Sequence, residues 1–241
     1  MQQFLEYPLR SICTFDNFVV CDGNTGALEF SRRIADPADP ENLLYIHGPS
    51  GSGKTHLLKA ITAAMGTFSS NPVPYLSCRE VFTADELCLL FAPAAALIVD
   101  DLHLLPDNAW LRTALWQLFN DFHSSGRKIA LAGSLSPREL PFLDDHLVSR
   151  LLWGLVARVD VSDDHSRQML LKKIAADRQV RVPDNVVAFI LMTTSREAGD
   201  LISAFDVVYR LSMTRNRRIS LPLAREAREL ALQGALHDHA P

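Results

Sequence analysis

The sequence has no apolar run long enough to cross a membrane. Its longest, Leu87 to Val99, has 13 residues, contains Pro93 and stops before two aspartates, whereas a spanning helix needs about 20 residues. The first residues, Met1 to Glu6, show neither a basic nor an apolar segment, so no export signal is expected. The four cysteines form no Cys-x-x-Cys pair and have no histidine at zinc-binding spacing. We therefore expect a soluble, cytoplasmic protein with reduced thiols.

The sequence also lacks an excess of positive charge. It has 24 lysines and arginines against 28 aspartates and glutamates, a net charge of −4. This excludes a protein that coats duplex DNA through a global basic field. With 48% hydrophobic residues, its 241 residues suffice for one large domain or two modest ones, with a substantial core.

Short apolar runs alternate with amphipathic segments through the first two thirds of the chain. The runs are typical of buried strands and cover residues 43–47, 74–78, 95–99, 128–132 and 154–161. Apolar residues at helical spacing occupy 55–65 and 107–123. Strands that alternate with helices predict parallel βαβ units, and therefore a parallel sheet flanked by helices.

The pattern changes near residue 160. Apolar stripes at helical spacing occupy residues 163–178, 184–195, 199–213 and 221–232, and no strand-like segment lies between them. We therefore expect an α/β domain over residues 13–160 and a small all-helical domain over 161–234. Residues 1–12 form a separate N-terminal peptide.

A phosphate-binding motif follows the first expected strand. The segment fits G-x-x-x-x-G-K-S/T and consists of Gly48, Pro49, Ser50, Gly51, Ser52, Gly53, Lys54 and Thr55. Glycines let the backbone turn its N–H groups toward phosphate oxygens, and the following helix adds its positive N-terminus. Lys54 would reach the β- and γ-phosphates, and the Thr55 hydroxyl would bind Mg²⁺. We expect ATP or ADP here, with His56 also at the nucleotide.

Two carboxylates end the third expected strand, at Asp100 and Asp101. Proteins with this loop use a strand-end carboxylate for Mg²⁺, and a second one polarises the attacking water. We assign Asp100 to the metal and Asp101 to the water. The alternative is a solvated turn, which the motif about 45 residues upstream makes less attractive.

Four segments together resemble the AAA+ module of DnaA-type replication initiators. They are Thr14–Val20, Gly53–Leu58, Val99–Asp101 and Ser149–Leu155, and the resemblance covers roughly residues 14–232. In that family, S-R-x-x-W-G-L carries an arginine finger that meets ATP on a neighbouring subunit, which implies this role for Arg150. Ser134 falls where the family has a polar sensor of the γ-phosphate or its water. The resemblance also implies a helical lid and homo-oligomers through AAA+ contacts.

The sequence departs from this family at its sensor-2 arginine. Aligning residues 199–205 with the family's R-E-L-E-G-A-L puts Gly199 at the arginine that reaches from the lid onto the nucleotide. Arg196, about one helical turn earlier, is the alternative donor. The departure leaves open whether the chain hydrolyses ATP by itself.

Full-length initiators continue into a helix-turn-helix domain, for which the few residues after 221–232 leave no room here, so sequence-specific DNA binding is not expected. The arrangement resembles Hda-type regulators, which promote hydrolysis of initiator-bound ATP, and implies a DnaA-type initiator as partner. Leu5, Tyr7 and Leu9 resemble the end of the peptide with which such regulators bind the sliding clamp. The alternatives are a helicase loader or adaptor that uses nucleotide as a switch, and a small-molecule kinase, which does not explain Ser149–Leu155.

Overall fold

The computed structural model describes residues 13–80, 82–140, 145–161 and 163–237, and the side chains of 145–147 and 234–237 lie outside that description. The proposed clamp-binding residues Leu5, Tyr7 and Leu9 also lie outside it. The described residues form two compact units, one of residues 13–161 and one that begins after 161. No helix among them is both long and apolar enough for a bilayer span.

The first unit is built on five parallel strands in the order β2-β3-β4-β1-β5. All five expected strands are present: β1 (Leu43–His47), β2 (Tyr75–Ser77), β3 (Ala96–Asp100), β4 (Lys128–Gly133) and β5 (Leu155–Arg158). The last ends three residues before the expected limit at 161. Beyond it, the Val159 amide still donates to the His47 carbonyl of β1, whereas the Asp160 amide donates to the Gly23 carbonyl outside the sheet.

Among the described residues, five α-helices flank this sheet: α1 (Thr25–Ala35), α2 (Lys54–Gly66), α3 (Ala84–Phe91), α4 (Ala109–Ser124) and α5 (Asp145–Leu151). Only α2 and α4 were expected from the apolar pattern. The long apolar run Leu87–Val99 belongs to two elements, since α3 ends before Pro93 and β3 begins after it. A capping box at the start of α3, formed by Thr83 and Glu86, is a local signal for this missed helix.

The sheet is buried on both faces, and alternate strand residues enter different cores. Leu44 and Ile46 of β1 pack with α1 and α2, whereas Leu43 and Tyr45 pack with α3 and α4 on the opposite face. The same alternation occurs in β3 and β4. Burial of both faces explains why these strands appear as continuous apolar runs in the sequence.

The second unit contains four helices and no strand among its described residues. These are α6 (Asp164–Asp177), α7 (Asp184–Thr193), α8 (Ala198–Thr214) and α9 (Leu221–His237). The Asp163 carboxylate caps α6 by accepting from the Ser166 amide at 2.8 Å. Phe205 and Leu201 of α8 are completely buried in the centre of this unit. The helical pattern after residue 160 is therefore confirmed, with α9 longer than expected.

Parallel pairing brings the carboxyl ends of β1, β3 and β4 to one edge of the sheet. His47 is in register with Gly133, and Ser77 is in register with Asp100. The glycine-rich loop, the acidic pair and Ser134 all follow directly from these ends. Loops at this edge form the usual ligand-binding position of an open parallel sheet.

Gly154 in the Ser149–Leu155 motif has a packing role that a substitution tests. A Cβ at this position would lie 2.4 Å from the Leu43 carbonyl oxygen and 2.5 Å from its Cγ. We expect Gly154→Ala to lower the free energy of unfolding by about 1 to 3 kcal/mol through overpacking. Gly26→Ala in α1 is the matched control, since nothing lies within 4 Å of its Cβ position. We expect Gly26→Ala to raise the free energy of unfolding by about 0.5 kcal/mol. Equal changes for the two variants in denaturant titrations would contradict the packing role of Gly154.

Candidate nucleotide-binding site

The Gly48–Thr55 loop has a backbone that only glycine accommodates at its key positions. Gly48, Gly51 and Gly53 have φ angles of 151°, 73° and 108°. A Cβ on Gly48 would lie 2.0 Å from the Val159 carbonyl oxygen, and one on Gly53 would lie 2.7 Å from the Phe18 ring. The loop is therefore held tightly between β5 and the segment that precedes α1.

Lys54 is buried at the first position of α2. Its ammonium group donates to the carbonyl oxygens of Gly48 and Pro49, each at 2.7 Å. Burial lowers the pKa of Lys54, and the charges of Asp100 and Asp101 oppose that effect. A buried ammonium whose partners are only backbone carbonyls is well suited to neutralise phosphate oxygens.

Asp100 is a fully buried carboxylate with three hydrogen-bond donors. Its Oδ2 accepts from Thr55 Oγ1 at 2.5 Å and from the Tyr75 hydroxyl at 2.8 Å. Its Oδ1 accepts from the Asp101 amide at 2.7 Å. The two groups that the sequence assigns to Mg²⁺, Thr55 and Asp100, are therefore in direct contact.

Asp101 adopts a left-handed backbone conformation, with φ of 55°. Its Oδ2 accepts from Arg79 Nε at 2.7 Å and from Ser77 Oγ at 3.1 Å. Burial raises the pKa of Asp101, but the hydrogen bond and charge of Arg79 outweigh it, so the pKa is lowered. The carboxylate assigned to water activation is therefore ionised and bound to an arginine from β2's end.

A cavity of about 390 Å³ lies above these groups, within the usual size range of small-molecule sites. It is lined by Ser50, Gly51, Gly53, Lys54, Thr55, Arg79, Asp101, His103 and Ser134. The Ser134 amide donates to His103 Nδ1 at 3.2 Å, which leaves the ring proton of neutral His103 on Nε2. Burial lowers the pKa of His103, against the charge of Asp101. Ser134 and Asp101 thus meet at one cavity, as their assigned roles require.

The predicted site residues that do not line this cavity are Gly48, Pro49, Ser52, His56, Asp100 and Arg150. His56 Nε2 lies 2.9 Å from the Thr14 carbonyl oxygen, and its ring meets Phe18 edge-on at 5.3 Å. Its contacts therefore hold the 14–18 segment against α2. Arg150 extends from α5 and donates to the Asn120 side chain on α4. Nearby, Trp153 is 63% exposed and its ring centroid lies 5.6 Å from that of His123.

Sequence reasoning missed three residues at this site: Tyr75, Arg79 and His103. Tyr75, Ser77 and Arg79 recur at a spacing of two in the sequence. Tyr75 and Ser77 share one face of β2, and Arg79 lies in the turn that follows the strand. All three contact the acidic pair. This period-two polar pattern is the signal that was available, but its meaning depends on β2 lying beside β3.

The arrangement fits a phosphate chain with a hard cation. Ser52 Oγ is buried in the loop without a hydrogen-bond partner among the described residues, so the loop holds an unsatisfied donor. Lys54 supplies positive charge, and Thr55 with Asp100 supplies the oxygen ligands that Mg²⁺ prefers. The residues present can therefore hold a nucleotide with Mg²⁺.

Comparison with protein families agrees with the motifs. The model of the bacterial DnaA ATPase domain matches residues 9–158, which is more than half of the chain. The chain belongs to the bacterial DnaA ATPase family. A second model, the Hda lid domain, matches residues 163–227 of this family member.

One curated relative of this DnaA-family chain is a replication initiator. The chromosomal replication initiator protein DnaA of Leifsonia xyli subsp. xyli is 30% identical over 228 residues, which cover 89% of this chain and 48% of that protein. The chain therefore spans about half the length of this relative.

Solved structures show the same fold. Domain III of DnaA from Thermotoga maritima is 26% identical, with a TM-score of 0.80, and the match covers 92% of this chain and 97% of that one. AMPPCP-bound DnaA from Aquifex aeolicus is 21% identical, with a TM-score of 0.67 and coverage of 84% and 67%. The fold is that of an AAA+ P-loop NTPase followed by a helical lid, as the sequence predicts.

The Arg79–Asp101 ion pair predicts a pH-dependent contribution to stability. Because the folded pKa of Asp101 is lowered, this contribution is complete above the unfolded value of about 3.9 and is lost as pH falls through the folded value. Arg79 is 65% exposed, so we expect Arg79→Gln to cost only about 1 kcal/mol at pH 7. Urea titrations of the unchanged chain and of Arg79→Gln from pH 7 to pH 3 measure the cost of the substitution and its dependence on pH.

Arg158→Gln is the matched control for this prediction. Arg158 is equally exposed at 68%, but its partner Asp160 is 26% exposed, against 11% for Asp101. The control should cost less than Arg79→Gln at pH 7. A loss for Arg79→Gln that stayed constant down to pH 3 would contradict the assigned ion pair.

Proposed function

We propose that this chain regulates replication initiation by presenting Arg150 to the ATP of a DnaA-type initiator, while its own loop binds ADP or ATP with Mg²⁺. The observation that carries the proposal is the position of Arg150. This arginine belongs to the family's finger motif, yet it lies on α5 outside the chain's own cavity. A guanidinium in this position would act on a nucleotide bound to another protein rather than on the nucleotide in this chain's cavity.

The surroundings of Arg150 support a role across an interface. Asn120 accepts a hydrogen bond from one guanidinium nitrogen and so orients the group. The neighbouring Trp153 and Leu152 are 63% and 40% exposed, and exposed tryptophans are frequent anchors of protein interfaces. A planar guanidinium pairs with two phosphate oxygens at once, which makes arginine the usual finger residue in phosphoryl transfer.

In the chain's own site, each residue has a role that its position favours. Lys54 would exchange its bonds to the Gly48 and Pro49 carbonyls for phosphate oxygens, and Ser52 Oγ would gain a partner. Thr55 and Asp100 would hold Mg²⁺, which would neutralise phosphate charge. Asp101 and Ser134 would contact the water and the γ-phosphate, and His56 would keep the 14–18 segment at the nucleotide.

Two features favour slow turnover by the chain itself. Asp101 is held by Arg79 and Ser77, so it must give up an ion pair before it can polarise water. Gly199 is the second residue of α8 and has no side chain with which to reach a phosphate. The match of residues 163–227 to the Hda lid further supports a regulator over an initiator.

We propose the sliding clamp as a second partner through Leu5, Tyr7 and Leu9.

The held Asp101 also favours a second candidate, a helicase loader or adaptor that uses nucleotide as a conformational switch. A switch needs binding without rapid hydrolysis, which the Arg79–Asp101 pair would supply. The two candidates differ in partner. Pull-down from a mixture of initiator, clamp and replicative helicase should recover initiator or clamp with a regulator, and helicase alone with a loader.

Replacing Arg150 tests the proposed function directly. We expect Arg150→Ala to fold and bind nucleotide normally, but to lose stimulation of initiator ATP hydrolysis by about 10³-fold, the lower end for an arginine finger. Arg138→Ala removes another exposed arginine of the same unit and is the matched control. Turnover by initiator, clamp-loaded DNA and this chain is measured with each component omitted in turn. Undiminished stimulation by Arg150→Ala would rule out the finger role.

Asp101→Asn tests the role assigned to that carboxylate. An amide accepts a proton far less readily than a carboxylate, so we expect intrinsic ATP turnover to be abolished while nucleotide affinity stays within about twofold. Single-turnover hydrolysis and equilibrium titration with labelled ADP separate the two effects. Turnover equal to that of the unchanged chain would remove Asp101 from the reaction.

A further inference from the structure

Tyr75 stands at the start of β2, the edge strand next to β3. Tyr75 is in register with Ile98 of β3, and Ser77, two residues later, is in register with Asp100. The Tyr75 hydroxyl lies 2.8 Å from Asp100 Oδ2, the same oxygen that accepts from Thr55 Oγ1. One buried carboxylate oxygen therefore receives two side-chain donors from two different elements.

The Tyr75 ring is itself fixed in place. It packs against the core that includes Ile98 and Ala96, and the Lys59 ammonium lies 5.1 Å from its centroid. A tyrosine has only two side-chain torsions, so a packed ring places its hydroxyl accurately. The hydroxyl therefore acts as a rigid donor that holds one orientation of the Asp100 carboxylate.

We propose that Tyr75 is a positioning residue for the Mg²⁺ that accompanies the bound nucleotide. Mg²⁺ demands a nearly ideal octahedron of oxygen ligands, so the orientation of its carboxylate partner matters. Without the phenol, the terminal torsion of Asp100 is held by Thr55 and one backbone amide alone. Hydrogen bonds to ligating carboxylates commonly change metal affinity 10- to 100-fold.

The polar residues at and after β2 divide between the two aspartates. Ser77 and Arg79 bind Asp101, whereas Tyr75 binds Asp100. Removing the phenol should therefore weaken the response to metal without freeing Asp101. Tyr75 does not line the cavity beside the loop that is proposed to hold the phosphates, so nucleotide affinity in the absence of metal should persist.

The test is Tyr75→Phe in the full chain, which removes a single oxygen. Fluorescently labelled ADP is titrated first in EDTA, then at a fixed concentration against increasing Mg²⁺. We expect affinity in EDTA within about twofold of the unchanged chain, and about a 10-fold rise in the Mg²⁺ concentration for half-maximal effect. Tyr45→Phe is the matched control, because that hydroxyl, in the same unit, donates to the Leu135 carbonyl oxygen instead.

Each other outcome overturns the inference. An unchanged Mg²⁺ response would show that Thr55 and the backbone orient Asp100 without help. Equal losses with and without metal would show a structural role, as would the same shift in Tyr45→Phe. The inference rests on the nucleotide binding proposed above. If the chain without substitutions bound no labelled ADP, both the nucleotide binding and the role of Tyr75 would be refuted. Failure of the Arg150 experiment alone leaves the role of Tyr75 intact.

Discussion

A buried carboxylate organises the edge of the sheet at which the site forms. Asp100 is completely inaccessible to solvent, and a buried carboxyl group is tolerated only when its oxygens are hydrogen-bonded. Its three donors come from the start of α2, from β2 and from the Asp101 amide. Satisfying this single carboxyl group therefore fixes the phosphate-binding helix, the edge strand and the second aspartate relative to one another.

The second aspartate is bound differently from the first, and this difference shapes the proposed function. Asp100 is paired with neutral hydroxyls that can remain when a cation arrives, whereas Asp101 is paired with the positive Arg79. The first arrangement favours binding of metal and nucleotide, and the second opposes activation of water. Together with Arg150, which does not line the cavity, they support the proposal that the chain holds its own nucleotide and acts on another.

The sequence predicted the parts of the fold in which local pattern and tertiary environment coincide. The strands beside the site appear as apolar runs because both faces of the sheet are covered. The glycine-rich loop was recognisable because its positive φ angles demand glycine. By contrast, α1, α3 and α5 were missed, and the apolar run around Pro93 concealed the end of one helix and the start of a strand. His56 was predicted at the nucleotide because it adjoins the motif; it contacts Thr14 and Phe18, and its place at the nucleotide stays a prediction.

By itself, the sequence determined the chemistry that is available: a loop able to surround phosphate, two strand-end carboxylates and an arginine in a finger motif. Those features depend on residues adjacent in the chain, so local spacing suffices to specify them. Only the tertiary structure decided what each carboxylate contacts. Tyr75 lies 25 residues before Asp100, and Arg79 lies 22 before Asp101. These pairs meet because β2 lies beside β3 in one register, and the order of strands in a sheet is set by packing over the whole unit.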